Sequence, residues 1–380
     1  MELNEKRTEL DAIDSQIVHL MAKRMDIISE IGHYKAQNNL PILDSERERQ
    51  KLADLAKQAG PDLAPVTDAL FSVILDLSRS AQNQIVAGES PIKDLIKKAI
   101  AETPAQFPTR PLVACQGVEG AYSQLAADRI FPSGSIMYFN TFDGVFAAVE
   151  QNLCQYGILP LENSTAGSVN RIYDLMMERH CYIVRSSRIK IDHCLLVNPG
   201  TKLSDIREIV SMEQAIAQSQ HFLKDLKNVK VTPCANTAAA SKLVRESGRN
   251  DIAALSSRSC AELYGLECLR ESVQDQGNNY TRFICISKNL EIYPGANRTS
   301  MMMVLPNRKG SLYRILSRFN ALGINLIKLE SRPLANSDFE FMFYFDLDVS
   351  VYSDEFLRIF DDLTGAVAEL KYLGSYTEVI

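Results

Sequence analysis

A chain of 380 residues is too long for one ordinary hydrophobic core and points to two or three domains. Its 46% hydrophobic and 23% charged residues are those of a globular protein, and a net charge of -6 argues against nucleic acid or an anionic membrane as the main partner. No apolar run is long enough to span a membrane, the opening MELNEKRTELDAID reads as charged helix rather than signal peptide, and the eight cysteines contain no C-x-x-C pair; a cytoplasmic protein with reduced cysteines and no zinc site is expected.

Residues 1–86 read as helix, with breaks at 38–41 and 60–65. The first helix, 5–37, would be roughly 50 Å long, more than two short partners can cover, so a second chain is expected to supply the missing cover. Leu10, Ile13, Ile17, Leu20, Met21, Ile27, Ile28 and Ile31 share one face of it. Arg24 and Lys35 lie within that apolar face, about three turns apart. Burying two such cations without a counter-charge would cost several kcal/mol each, so something anionic must meet them, either a structural carboxylate or a small ligand. The anomaly recurs in the next helices: Glu48 lines up with Leu52, Leu55 and Ala59, and Ser78 and Gln82 continue the stripe of Phe71 and Ile74. Arg7 lies off the stripe, where it would reach a neighbouring chain. The structural alternative is a set of buried ion pairs, Arg24 with Glu48 for example.

Residues 89–110 are rich in Pro, Ala and charge and read as a linker with a helical turn or two. From 111 to 290 short apolar runs (PLVACQG, SIMYFN, YGILPLE, CYIVRSSR, HCLLVN, REIVS, VKVTPC, DIAALSS, RFICISK) alternate with helical stretches (TFDGVFAAVEQN, NRIYDLMMERH, EQAIAQSQHFLKDL, TAAASKLVRES), the grammar of an α/β domain. GVEGAYSQLAA is a glycine turn opening a helix, whose N-terminus can seat an anion. Residues 298–380 follow the order βαββαβ, that of a ferredoxin-like module.

Residues 1–88 resemble the helical chorismate mutases of bifunctional aromatic-biosynthesis enzymes, through Arg7, Lys23-Arg24, Gly32-His33-Tyr34-Lys35, the run PILDSERER (41–49), and Ser78 with Gln82. The resemblance implies an all-α, three-helix domain in an intertwined dimer. It also implies a chorismate site of Arg7, Arg24, Lys35, Asp44, Arg47, Glu48, Ser78 and Gln82, with Arg24, Lys35, Glu48 and Gln82 catalytic. Residues 111–290 are similar to prephenate dehydratases, through Gly117-x-x-Gly120-Ala121-Tyr122-Ser123, Pro160-Leu161-Glu162-Asn163-Ser164, Ile191-Asp192-His193-Cys194-Leu195-Leu196, Ser211 with Gln218, and Asn279-Tyr280-Thr281-Arg282-Phe283. This implies two α/β lobes arranged as in periplasmic binding proteins, with Thr281 as proton donor. Asn163, Ser164, Ser211, Gln218, Thr237, Thr281, Arg282 and Phe283 would bind prephenate. Met212-Glu213 departs from the His-Pro usual after the family's serine.

Residues 298–380 resemble an ACT domain, an α+β amino-acid sensor, through Gly310-Ser311-Leu312 and Glu330-Ser331-Arg332-Pro333. The implied phenylalanine site comprises Gly310, Ser311, Leu312, Asn325, Glu330, Ser331 and Arg332, the last three in a loop after the second strand.

The expectation is therefore a multidomain, feedback-regulated enzyme that rearranges chorismate to prephenate and then decarboxylates and dehydrates prephenate. It needs no cofactor and no metal, and forms a homodimer or tetramer. The alternatives are a non-catalytic amino-acid sensor with a helical dimerisation arm, or an enzyme retaining one of the two activities.

Overall fold

The computed structural model describes residues 3–87, 90–308, 310–334, 340–363 and 367–380. The chain divides into two compact units, Met1–Lys98 with Met303–Leu370, and Ala99–Met302 with Lys371–Ile380.

In the first unit, α1 (Leu3–Gln37), α2 (Ser45–Ala59) and α3 (Ala64–Ala87) pack with α3 as the common partner. Ile74, Ser78 and Gln82, four residues apart, form the buried face of α3. Asp44 caps α2 by accepting the Arg47 backbone N–H at 3.0 Å. The stripe on α1 stays open: Leu10, Ile13, Ile17 and Leu20 are 57, 52, 53 and 63% exposed. Fully covering such a side chain is worth about 1.5–3 kcal/mol.

Residues 91–102 form a twelve-residue helix, α4 (Pro91–Glu102), rather than the turn or two expected of a linker. Ile96 and Ala99 supply the reason, since they recur on one helical face and are buried. Farther on, Phe107 stacks on Phe131 at 5.0 Å and meets Tyr293 edge-on at 4.7 Å, which ties this segment down.

The second unit is built from β1 (Leu112–Gln116), α5 (Tyr122–Ile130), β2 (Ser135–Phe139), α6 (Phe142–Glu150), β3 (Tyr156–Asn163), β4 (Gly167–Ser168), α7 (Asn170–Glu178), β5 (Tyr182–Lys190), β6 (Cys194–Val197), β7 (Glu208–Ser211), α8 (Glu213–Ala217), α9 (Gln220–Asp225), β8 (Lys230–Pro233), α10 (Thr237–Ser247), β9 (Ile252–Ser256), α11 (Arg258–Tyr264), β10 (Glu267–Arg270) and β11 (Tyr280–Ser287). It has the two lobes expected. One sheet runs β6–β9–β7 at its centre, flanked by β10 and β8; the other contains β5–β11–β3–β1–β2. In the second sheet β1 pairs parallel with β2 and β3, whereas β11 runs antiparallel between β3 and β5. The stretch EQAIAQSQHFLKDL, expected as one helix, breaks between α8 and α9 at Gln218 and Ser219.

The C-terminal region follows the expected βαββαβ order: β12 (Arg298–Val304), α12 (Ser311–Ala321), β13 (Asn325–Pro333), β14 (Phe341–Asp348), α13 (Asp354–Leu363) and β15 (Glu369–Val379). β13 and β14 form an antiparallel pair, and Phe319 of α12 packs edge-on against Phe345 of β14 at 5.5 Å. The last residues of β15 add to the α/β unit, Thr377 pairing parallel with Arg185.

Candidate active sites

On α1, Arg24 and Lys35 are half-buried, and Arg24 donates to the Ser78 hydroxyl across the helix pair. Lys35 Nζ donates to the Ile42 carbonyl at 2.6 Å. Gln82 Nε2 donates to the Ser78 carbonyl at 3.2 Å, while its buried Oε1 has no partner among the described residues. Burial holds the Arg24 pKa below its ordinary value. Among the described residues no carboxylate lies within ion-pair distance of Arg24 or Lys35, so the Arg24–Glu48 pair of the structural alternative is not formed. Glu48 instead pairs with Arg79, which also holds Asp76. Glu48 and Arg79 line a cavity of about 1260 Å³ together with Arg314. Arg7 and Arg47 are exposed. Of the eight chorismate candidates, Arg24 and Gln82 therefore both bond Ser78. Lys35 bonds the α1–α2 turn, and Asp44 is engaged as a helix cap.

In the α/β unit a cavity of about 320 Å³ opens between the two lobes. Asn163, Thr281 and Phe283 line it from one lobe; Gln218 and Thr237 line it from the other. Thr281 Oγ1 accepts from Asn163 Nδ2 at 2.9 Å, which leaves the hydroxyl hydrogen to donate into the cavity. Asn163 is itself fixed, since its Oδ1 accepts from Thr165 N at 3.0 Å, Thr165 Oγ1 at 2.8 Å and Ala166 N at 2.9 Å. Gln218 closes the network from the other lobe, donating to Thr165 Oγ1 at 2.7 Å and accepting from Asn279 Nδ2 at 3.0 Å.

Three expected prephenate contacts lie elsewhere. Ser211 is fully buried at the end of β7, donating to the Leu255 carbonyl at 2.6 Å. Ser164 is exposed and donates to the Asn278 carbonyl at 3.0 Å. Arg282 follows Thr281 in an extended strand, so the two side chains take opposite faces. The guanidinium meets Glu162 at 3.3 Å and the Tyr376 hydroxyl at 2.8 Å on the side away from the cavity.

The cavity also contains residues outside the expected set, including Tyr122, His193, Met212 and Asn236. Tyr122 and His193 belong to the motifs that carried the resemblance, and Met212 is part of the departure from His-Pro. His193 is buried, with Nε2 3.4 Å from Gln218 Oε1 and Nδ1 3.4 Å from the Tyr122 hydroxyl. Burial lowers its pKa, outweighing the Gln218 bond and the nearby Asp192 charge, and so favours the neutral imidazole.

No Lys or Arg is among the lining residues. Helix N-termini border the cavity instead, among them those of α5 and α10, the latter capped by Asn236 accepting from Ala239 N at 2.8 Å. Gly120 makes the approach to α5 possible. Its φ is +86°, and an added Cβ would lie 2.9 Å from Cys260 Sγ and 3.0 Å from Leu263 Cδ2.

In the C-terminal module Gly310, Ser311 and Leu312, at the start of α12, line a cavity of about 220 Å³ with Phe341 and Phe343. Glu330, Ser331 and Arg332 lie within β13 opposite Tyr344, Phe343 and Met342, so the expected loop is a strand. Asn325, Glu330, Ser331 and Arg332 are not among the residues around this cavity, and Glu330 pairs with Lys328 at 3.5 Å.

Comparison with known families places two models on the chain, chorismate mutase type II over residues 6–83 and prephenate dehydratase over residues 113–291. The bifunctional chorismate mutase/prephenate dehydratase of Enterobacter agglomerans is 30% identical over 97% of this chain and 94% of its own length. The chain belongs to the bifunctional chorismate mutase/prephenate dehydratase family. It catalyses the rearrangement of chorismate to prephenate and the conversion of prephenate to phenylpyruvate. Arogenate dehydratase/prephenate dehydratase 2 of Arabidopsis thaliana is 36% identical over 70% of this chain and 73% of its own length. The crystal structure of a prephenate dehydratase from Arthrobacter aurescens in complex with L-Phe superposes with a TM-score of 0.64 at 26% identity, covering 70% of this chain and 89% of that one.

Proposed function

We propose that Arg24, Lys35, Ser78 and Gln82 form the core of the chorismate site and that Thr281 donates to the departing hydroxyl in the prephenate step. The mutase assignment is carried by one observation: two half-buried cations on one helix face have no carboxylate partner among the described residues. A dianionic substrate is the counter-charge that this face calls for. The rearrangement is pericyclic and needs no nucleophile. As the C–O bond breaks, negative charge grows on the ether oxygen, and fixed donors there lower the barrier. Lys35, with two N–H groups beyond the one given to Ile42, and the Gln82 amide serve that oxygen. Arg24 clamps a carboxylate. Arg7 and Arg47, exposed within one chain, complete the site when two chains pair through the open face of α1. Asp44 and Glu48 then meet the hydroxyl and hold the substrate's diaxial shape. The chain is accordingly a homodimer or a multiple of one, with mutase residues 1–88, a connecting segment 89–110, dehydratase residues 111–290 and an effector module 298–380. It functions in the cytoplasm.

In the second step, cleavage of the carboxylate C–C bond releases carbon dioxide and supplies the electron pair that expels the ring hydroxyl, and one proton makes that leaving group water. A threonine hydroxyl is too weak an acid to donate this proton outright. Thr281, polarised by the Asn163 N–H, therefore acts as a hydrogen-bond donor to the leaving oxygen, and the proton itself comes from solvent water. The N-termini of α5 and α10 take the substrate carboxylates, and Arg282, first expected among the prephenate-binding residues, does not reach them. Gln218 and Thr237 orient the ring, Phe283 packs against it, and Met212 shapes the rim. Phenylalanine binds at Gly310, Ser311 and Leu312, where backbone N–H groups opening α12 meet its carboxylate and Phe341 and Phe343 meet its ring. Inhibition follows by linkage if the substrate-loaded state binds the effector less well.

The test is a time course of prephenate and phenylpyruvate from chorismate, with and without phenylalanine. Phenylpyruvate formation suppressed by phenylalanine is the expected result. Turnover of neither compound would instead favour a non-catalytic sensor.

A further inference from the structure

Thr281 and Arg282 are neighbours in β11, one facing the cleft and the other the opposite side, so whatever holds Arg282 also sets the backbone that carries the Thr281 hydroxyl. Arg282 is 3% exposed, a position that an arginine occupies only with strong partners. One partner is Glu162 on β3, 3.3 Å from Nη1, and two more come from the last residues of the chain. The Tyr376 hydroxyl accepts from Arg282 Nη2 at 2.8 Å. The Glu378 carboxylate, 5% exposed, lies 3.9 Å from Arg282 Nε, 3.0 Å from Arg188 Nε and 3.1 Å from Arg298 Nη2.

Two backbone features make this anchorage matter. The β3–β11 ladder shifts register between Arg282 and Phe283, just beyond Thr281, so on that side the strand is held less regularly than on the β5 side, where pairing is continuous through Phe283. On the other edge, β15 approaches β5 closely through Gly374, with φ of +137°; a Cβ there would sit 2.3 Å from the Ile183 carbonyl oxygen.

We infer that Tyr376 and Glu378 are positioning residues for the dehydratase reaction: through Arg282 they fix the strand that aims Thr281 into the cleft. This rests on the assignment of Thr281 as donor to the leaving hydroxyl. Without Glu378, Arg282, Arg188 and Arg298 would lose a shared buried carboxylate and repel one another, displacing β11 where its ladder is already broken. A shift of an ångström at a reacting group is enough to cost about 10²-fold in rate.

The experiment is steady-state kinetics of the full-length chain with prephenate, comparing wild type with Glu378→Gln, Tyr376→Phe and Thr281→Ala, and with enzyme concentration normalised by mutase turnover. Glu378→Gln is expected to lower kcat about tenfold with KM within about twofold, and Tyr376→Phe to give a smaller loss of the same kind. If Glu378→Gln does not fold, Tyr376→Phe, which removes one oxygen, decides. Wild-type kcat in the foldable variants beside an inactive Thr281→Ala enzyme would overturn the positioning role and leave the donor assignment standing. Wild-type activity in Thr281→Ala would overturn the donor assignment itself.

Discussion

The helical region and the α/β cleft face the same kind of ligand, a small dianion, with opposite materials. Along α1 the proposed binding groups are full charges, Arg24 and Lys35, standing half-buried on an elongated helix whose apolar stripe is largely open. In the cleft the groups are neutral amides, hydroxyls and helix N-termini, buried and cross-linked from Asn163 through Gln218 to His193. Three helices of this length enclose little on their own, and the proposed site relies on charge and a second chain. Two lobes can enclose one, and fixed dipoles suffice where water is excluded. The difference teaches that substitutions in the first site should act through charge and assembly, and those in the second through the geometry of one hydroxyl.

The largest effect is expected from Thr281→Ala, which should lower phenylpyruvate formation by about 10³-fold and leave prephenate formation unchanged, as read by separate assays of the two products. Next, Lys35→Ala should cost about 10²–10³-fold in mutase turnover with the oligomeric state unchanged, and Lys35→Arg should restore little, since the planar fork cannot replace a point donor. Placing a carboxylate in the open stripe, Ile17→Glu, should dissociate the chain to monomer by light scattering. Mutase activity should fall with it while dehydratase turnover persists. Persistence of a fully active oligomer would show that α1 is not the interface.

A smaller effect separates the two sites by pH. Because His193 is buried neutral with its pKa below 6.5, the unfolded chain binds that proton more readily. Its contribution to stability is therefore full above about pH 6.5 and declines as pH falls from there towards the lowered folded value. Replacing it by Gln should flatten that part of the Tm profile. The smallest expected change is at the effector cavity, where Leu312→Gly should weaken phenylalanine inhibition several-fold without altering basal kcat, measured by inhibitor titration.

How much of this was legible in the sequence differs in the same way. Charges inside an apolar helical stripe stand out against the 3.6-residue period, so Arg24, Lys35, Ser78 and Gln82 could be singled out from the pattern of residues alone. The cleft offers no such contrast. Asn163, Gln218 and Thr237 are ordinary polar residues, and only the resemblance brought them together. Arg282 was expected beside Thr281 at the site, yet period-two alternation along its recognised strand turns it to the opposite face. Ser211 was expected at the site, but it ends a central strand and bonds inside the sheet. Glu48 was expected beside Arg24; its partner Arg79 comes from a helix face that the pattern did not distinguish. The short elements β4, β10 and α11 escaped because too few residues show a period, and the break at Gln218 because nothing in EQAIAQSQ marks a turn.

The most direct measurement is a crossover of products. Chorismate and prephenate are each given to wild type, Lys35→Ala and Thr281→Ala, and prephenate and phenylpyruvate are followed separately. Two independent sites in one chain predict that Thr281→Ala accumulates prephenate from chorismate, whereas Lys35→Ala forms neither product from chorismate yet converts added prephenate at the wild-type rate. Loss of both reactions in either variant would contradict the separation of the two sites on which the assignments depend.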